Sequence, residues 1–199
     1  IELIVKDGMD KVEQQVADME AFIAQRVDAI LISPKVADAL TPVVSKAFDV
    51  GIPVIVLDRD VLNDRYVQFI GGDNHEIGRA AGRYAVKLLG GPGQARGKMV
   101  EIWGGMASTP AQDRHEGFHE IVSREPGIQI VNQPRDGDWK QDRGYEIMAE
   151  ALEKQPTIDL VYAHNDPMAY GAYQAAKDAG REKGIAFLGI AGIPAEGVK

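Results

Sequence analysis

The feature that most constrains this chain is an alternation of two apolar rhythms. Short, largely continuous β-branched runs at residues 1–5, 27–32, 53–57, 67–71, 99–103, 128–131, 158–163 and 185–190 read as strands. Continuous rather than alternating apolarity is the pattern of a strand covered by helices on both faces. Between the runs, apolar residues recur at three- and four-residue steps, which puts them on one face of a helix. Val12, Val16, Met19 and Ile23 define the first such helix, with Asp10 and Glu13 placed as a capping-box variant. Leu40, Val43, Val44 and Ala47 define the second, closed by Gly51, and Ile77, Ala81, Tyr84 and Leu88 the third. Later helices centre near Phe118, Met148 and Tyr173, the last opening at Asp166 followed by Pro167. Strand and helix in strict alternation imply an α/β fold with parallel sheets.

With 199 residues the chain is long enough for two lobes, each burying its own core. The one Gly/Pro-rich break, LGGPGQARG at 89–97, lies almost midway and is expected to be a flexible connector. Lobes of 1–97 and 98–199 are therefore expected. The halves also echo one another. DAILISP at 28–34 and GIPVIVLD at 51–58 flank one helix, and DLVYAHN at 159–165 and GIAFLGIA at 184–191 flank another. Two Rossmann-like lobes of this kind would hold a ligand in the cleft at their carboxyl strand ends. The run at 1–5 reads as a strand with no lead-in, so a piece of a longer protein is expected.

Composition removes several function classes. A net charge of -8 argues against a nucleic-acid partner or an anionic membrane surface. The absence of cysteine excludes disulfides, thiol catalysis and thiolate-bound zinc. No apolar run is long enough to span a bilayer. Gly93 and Gly97 enclose three residues, and Met99 follows Lys98, so the spacing and hydroxyl of a phosphate-binding loop are missing. No nucleophile elbow is present. His115 to His119 spells H-E-x-x-H, a metalloprotease motif, but a glycine sits inside it and only His75 and His164 remain as further imidazoles, although a distant carboxylate could supply a third ligand. It is expected to be a chance match, with no metal, no cofactor and no enzymatic activity.

What remains is a set of polar groups just past strand ends. Asp58 and Arg59 follow one strand, Asn165 and Asp166 another, Arg114 lies about a helical turn after a third, and Trp139 sits in the loop DGDW at 136–139. Carboxylate, guanidinium and amide groups pair with adjacent hydroxyls, and an indole packs on the C–H face of a sugar.

The segments DAILISP, GIPVIVLDR at 51–59, GDNHEIG at 72–78, RHEGF at 114–118 and YAHNDPMAYGA at 162–172 together resemble periplasmic sugar-binding proteins of the ribose/galactose type. The resemblance runs in order through essentially the whole chain. It implies a two-lobed receptor, periplasmic or extracytoplasmic and lipid-anchored if the source is Gram-positive. Such a receptor closes on a monosaccharide or small polyol and hands it to an ABC importer permease or a chemoreceptor. It implies a monomer without catalytic turnover. By matching motifs, Asp58 and Arg59 would hold sugar hydroxyls from the first lobe, and Arg114, Trp139 and Asn165 from the second. The alternatives of the same fold are the sensing domain of a sensor kinase and the effector domain of a lac-repressor-type regulator. The family's usual Gly-Ile-Asp-Gly stands here as GIAG at 189–192, so Ala191 replaces an acceptor. Members also carry a strand and helix before the first segment seen here and a returning segment after the last, and both are expected to be missing.

Overall fold

A computed structural model describes residues 1–194, which fall into two compact units. The first comprises residues 1–72 and 107–110, and the second 73–106 together with the chain from Ala111 onward. The last residues of the expected second lobe, 195–199, lie outside the described residues.

The first unit contains α1 (Val12–Gln25), β1 (Ile30–Ile32), α2 (Ala37–Asp49), β2 (Val54–Leu57) and β3 (Gln68–Ile70). Its sheet has the order β1-β2-β3, all parallel, with Ile30 opposite Val54 and Val56 opposite Phe69. Met19, Ile30, Ile32, Leu40, Val44, Val54 and Val56 form its core. Burial alternates along β1 and β2, and Leu31 and Ile70 are exposed. This sheet is therefore covered on one face among the described residues, against the expectation of two. Residues 1–5 form no strand here: among the described residues this stretch has no ladder partner, and Ile1, Leu3 and Val5 are exposed. Asp10 does not cap α1: Lys11 is the N-cap residue and carries no side-chain cap, while Asp10 pairs with Lys35.

The second unit contains α3 (Asn74–Leu88), β4 (Arg96–Ile102), α4 (Thr109–Val122, whose first two residues fall in the first unit), β5 (Gly127–Ile130), α5 (Gln141–Lys154), β6 (Leu160–Ala163), α6 (Asp166–Asp178) and β7 (Ala186–Leu188). The sheet order is β5-β4-β6-β7, again parallel throughout. β6 is buried along its whole length, as a continuous apolar run predicts. One core cluster joins Val100, Ile102, Met148, Val161 and Met168, and another Met99, Phe118, Leu160 and Tyr162.

The unit boundary differs from the expected break at residue 97. Helix α3 packs within the second unit because two glycines let it approach α4 closely. A Cβ at Gly78 would fall on the Arg114 carbonyl oxygen, and one at Gly117 on the His75 carbonyl oxygen. That approach moves the buried face of α3 to Asn74, Gly78, Ala81, Gly82, Ala85 and Val86, leaving Tyr84 and Leu88 exposed. The stretch at 89–97 is consequently a turn inside the second unit. It is held by Gly93 N, which donates to both Glu125 carboxylate oxygens at 3.0 and 2.8 Å, and by Arg96 N donating to the Leu89 carbonyl at 3.0 Å.

Candidate functional site

In the first unit, β2 ends at Leu57 and the chain turns at Asp58, whose φ of 62° is left-handed. Non-glycine residues rarely adopt this region, although aspartate tolerates it better than most, and such strain gathers at functional sites. Asp58 N donates to the Ile70 carbonyl at 2.8 Å, which ties the turn to the carboxyl end of β3. Its carboxylate stands exposed, 3.8 Å from Arg59 Nε. Asp60 N beyond them donates to Thr109 Oγ1 at 2.8 Å, so the returning segment 107–110 buttresses this corner.

In the second unit, Arg114, Trp139 and Asn165 come together. Arg114 projects from the first turns of α4, with its Nε donating to Asn74 Oδ1 at 2.9 Å and one terminal nitrogen to the His164 carbonyl. Its guanidinium carbon lies 5.4 Å from the centre of the Trp139 ring, within cation–π range. Trp139 reaches this place through two consecutive left-handed residues, Asp138 at 46° and Trp139 at 63°. Its indole fills the space that a side chain at Gly104 would occupy. Asn165 is the N-cap of α6, its Oδ1 accepting from Met168 N at 3.0 Å, and its Nδ2 donates to the Trp139 carbonyl at 2.9 Å. The cap is thus Asn165 and not Asp166. Asp166 is buried, donates from its backbone to the Ile190 carbonyl, and accepts from Ile193 N at 2.6 Å. It fixes the turn containing Ala191, whose φ is 114°.

Beneath Arg114 and Asn165 lies Glu101 of β4, with a side chain 4% exposed. His115 Nδ1 and His119 Nε2 each approach one of its oxygens to 2.9 Å, and His164 Nε2 approaches Oε1 to 3.3 Å. Burial pushes the Glu101 carboxyl up, but hydrogen bonds from His115, His119 and His164 outweigh it and hold the group below the usual carboxylate range. Burial pushes the His164 imidazole down against the opposing pull of Glu101. Sequence reasoning missed Glu101, because a lone acid in an apolar run carries no spacing signal. Glu116, the acid inside the histidine motif, is exposed.

The chain matches the periplasmic binding protein domain over residues 1–197. It is 37% identical over 202 residues to the galactofuranose-binding protein YtfQ of Escherichia coli (strain K12), covering 98% of this chain and 62% of that protein. Among solved structures, it is 41% identical, with a TM-score of 0.91, to the fructose binding periplasmic domain of a hybrid two component system, over 97% of this chain and 63% of that one. The periplasmic binding protein component of the arabinose ABC transporter from Shewanella sp. ANA-3, bound to α- and β-L-arabinofuranose, matches at 33% identity and a TM-score of 0.86, over 96% and 64%. The chain thus spans less than two thirds of the length of these relatives.

Proposed function

The chain belongs to the periplasmic binding protein domain family, and on that premise we propose that it is the larger part of an extracytoplasmic receptor for a monosaccharide or similar small polyol. It holds the ligand without chemical turnover and delivers it, on closure, to an ABC importer. The observation that carries this reading is the convergence of Arg114, Trp139 and Asn165 at the carboxyl end of the second sheet. A planar fork of donors beside an indole suits a ring that is polar at its edge and apolar on its faces. Asp58 and Arg59, just past the carboxyl end of β2 in the first unit, are a paired acceptor and donor of the kind that takes a vicinal diol. No described helix is long and apolar enough to cross a membrane, which fits a receptor domain lying outside one.

The test is calorimetric titration of the full-length protein with pentoses, hexoses and polyols, supported by thermal-shift screening. One of them should bind stoichiometrically and raise the melting temperature; a panel without any shift would refute the reading. A second reading, ligand sensing on behalf of a kinase, is favoured by the similarity to the fructose binding domain of a two component system. The neighbouring coding sequence separates the two: permease genes beside it support import, and a transmembrane kinase in the same reading frame supports sensing.

A further inference from the structure

The H-E-x-x-H stretch has a partner that its spacing does not reveal. His115 and His119 lie one turn apart on α4, and their rings stand 4.0 Å apart. Both turn toward Glu101 on β4, and one ligand atom from each of the three residues lies within 4.8 Å of the other two. Zinc-class ions bind imidazole nitrogen and carboxylate oxygen at about 2.0–2.2 Å, so donors around one ion sit about 3–4 Å apart. Little movement would bring these three onto a single centre. We propose that Glu101, His115 and His119 form a site for one divalent transition-metal ion, with a water in the remaining position.

Three further observations favour an ion here. The buried Glu101 carboxylate faces three imidazoles, and imidazole nitrogen with carboxylate oxygen is the donor combination that zinc-class ions take. Trp103 Nε1, Tyr162 Oη and His164 Nδ1 are buried without hydrogen-bond partners among the described residues. Their rings surround the cluster, Trp103 at 4.0 Å from His115 and Tyr162 at 5.2 Å from His164. Buried polar groups without partners are rare, and a patch of them next to the cluster points to a water there, to which the donor-only Trp103 N–H would give its hydrogen bond. The side chain of His119 is 36% exposed, which provides a route of entry. His164, bonded to Glu101 Oε1, is the outer partner that orients the carboxylate.

The donor set selects the ion. Two imidazoles and one carboxylate suit zinc, nickel or copper and disfavour magnesium and calcium, which prefer all-oxygen shells. The site does not follow the metalloprotease pattern, because the third donor comes from the strand while Glu116, the acid of the motif, stands exposed. The ion would join α4 to β4, since two of the donors lie on α4 and the third on β4.

These 199 residues hold four histidines, His75, His115, His119 and His164, and imidazole NMR with resonances assigned by single His→Gln substitutions can follow each of them. Chelator-treated full-length protein is titrated with zinc sulfate while those resonances are recorded, with calorimetry in parallel. At one equivalent the His115 and His119 signals should shift while His75 stays in place. His119→Gln, at a partly exposed position, should weaken zinc binding by at least about tenfold while the circular dichroism spectrum of the metal-free protein stays unchanged. Absence of stoichiometric zinc, unmoved His115 and His119 signals, or equal affinity in a folded His119→Gln variant would each overturn the site. If that variant does not fold, the resonance shifts of the unaltered protein decide alone.

Discussion

Asn165 donates its side-chain amide to the Trp139 carbonyl at 2.9 Å, joining the loop after β5 to the start of α6 through one residue. The same side chain caps the helix through its other end, by accepting from Met168 N. An N-cap is worth about 1 kcal/mol and a neutral hydrogen bond about as much. Asn165→Ala should therefore cost about 2 kcal/mol in urea unfolding. Asn165→Asp keeps the cap but sets a carboxylate against the Trp139 carbonyl, so it should restore less than the cap's full share. Equal stability of the Asp variant and the parent would show that the Trp139 bond contributes nothing.

Arg114 bridges Asn74, the His164 carbonyl and the Trp139 ring. Arg114→Lys retains the charge but cannot reproduce the fork. A charge-assisted hydrogen bond contributes about 1.5–3 kcal/mol. Calorimetry with the sugar that binds should thus show a ten- to hundredfold loss of affinity. An unchanged dissociation constant would remove Arg114 from the ligand's contacts.

Gly117 tests the packing of α3 on α4. Replacing an ordinary helix-interior glycine by alanine gains about 1 kcal/mol. Here the new methyl group would collide with the His75 carbonyl oxygen. Gly117→Ala should instead destabilise by about 1–3 kcal/mol, as overpacking does. A rise in thermal midpoint would mean that the two helices can part at no cost.

Ala191 occupies a left-handed backbone position, with φ 114°, in the turn that Asp166 secures. Aspartate tolerates such a conformation better than alanine, and by resemblance it is the residue that accepts two sugar hydroxyls at this place. Ala191→Asp should raise sugar affinity ten- to hundredfold, corresponding to about 1.5–3 kcal/mol for a charged acceptor. Stability should stay level or increase. Weaker binding would show that the turn does not face the ligand.

Much of the architecture can be read from the chain in advance. Continuous runs such as 158–163 became buried parallel strands, and the three-four periodicity located every helix, because both patterns report what a segment can bury by itself. Local patterns fall short where the outcome depends on a distant partner. The run at 1–5 is as apolar as a strand should be, but among the described residues no strand pairs with it. The membership of α3 depends on Gly78 and Gly117 meeting the carbonyls of another helix, across a separation that local periodicity cannot register. Of the site, Arg114, Trp139 and Asn165 were visible as polar groups past strand ends, and they do converge. Glu101 was invisible because it joins His115, His119 and His164 only through tertiary approach.

The excursion of residues 107–110 into the first unit has a consequence for how the protein is made. Ala37 N donates to the Ala107 carbonyl and Asp60 N to Thr109 Oγ1, so two amides of the first unit depend on residues that leave the ribosome much later. Nascent chains fold unit by unit from the amino end. The first unit cannot finish until synthesis has passed Pro110, by which point α3 and β4 have already been made. A chain cut after Gly72 would retain the sheet but lose the buttress behind Asp58, and its corner should be an early target for proteases.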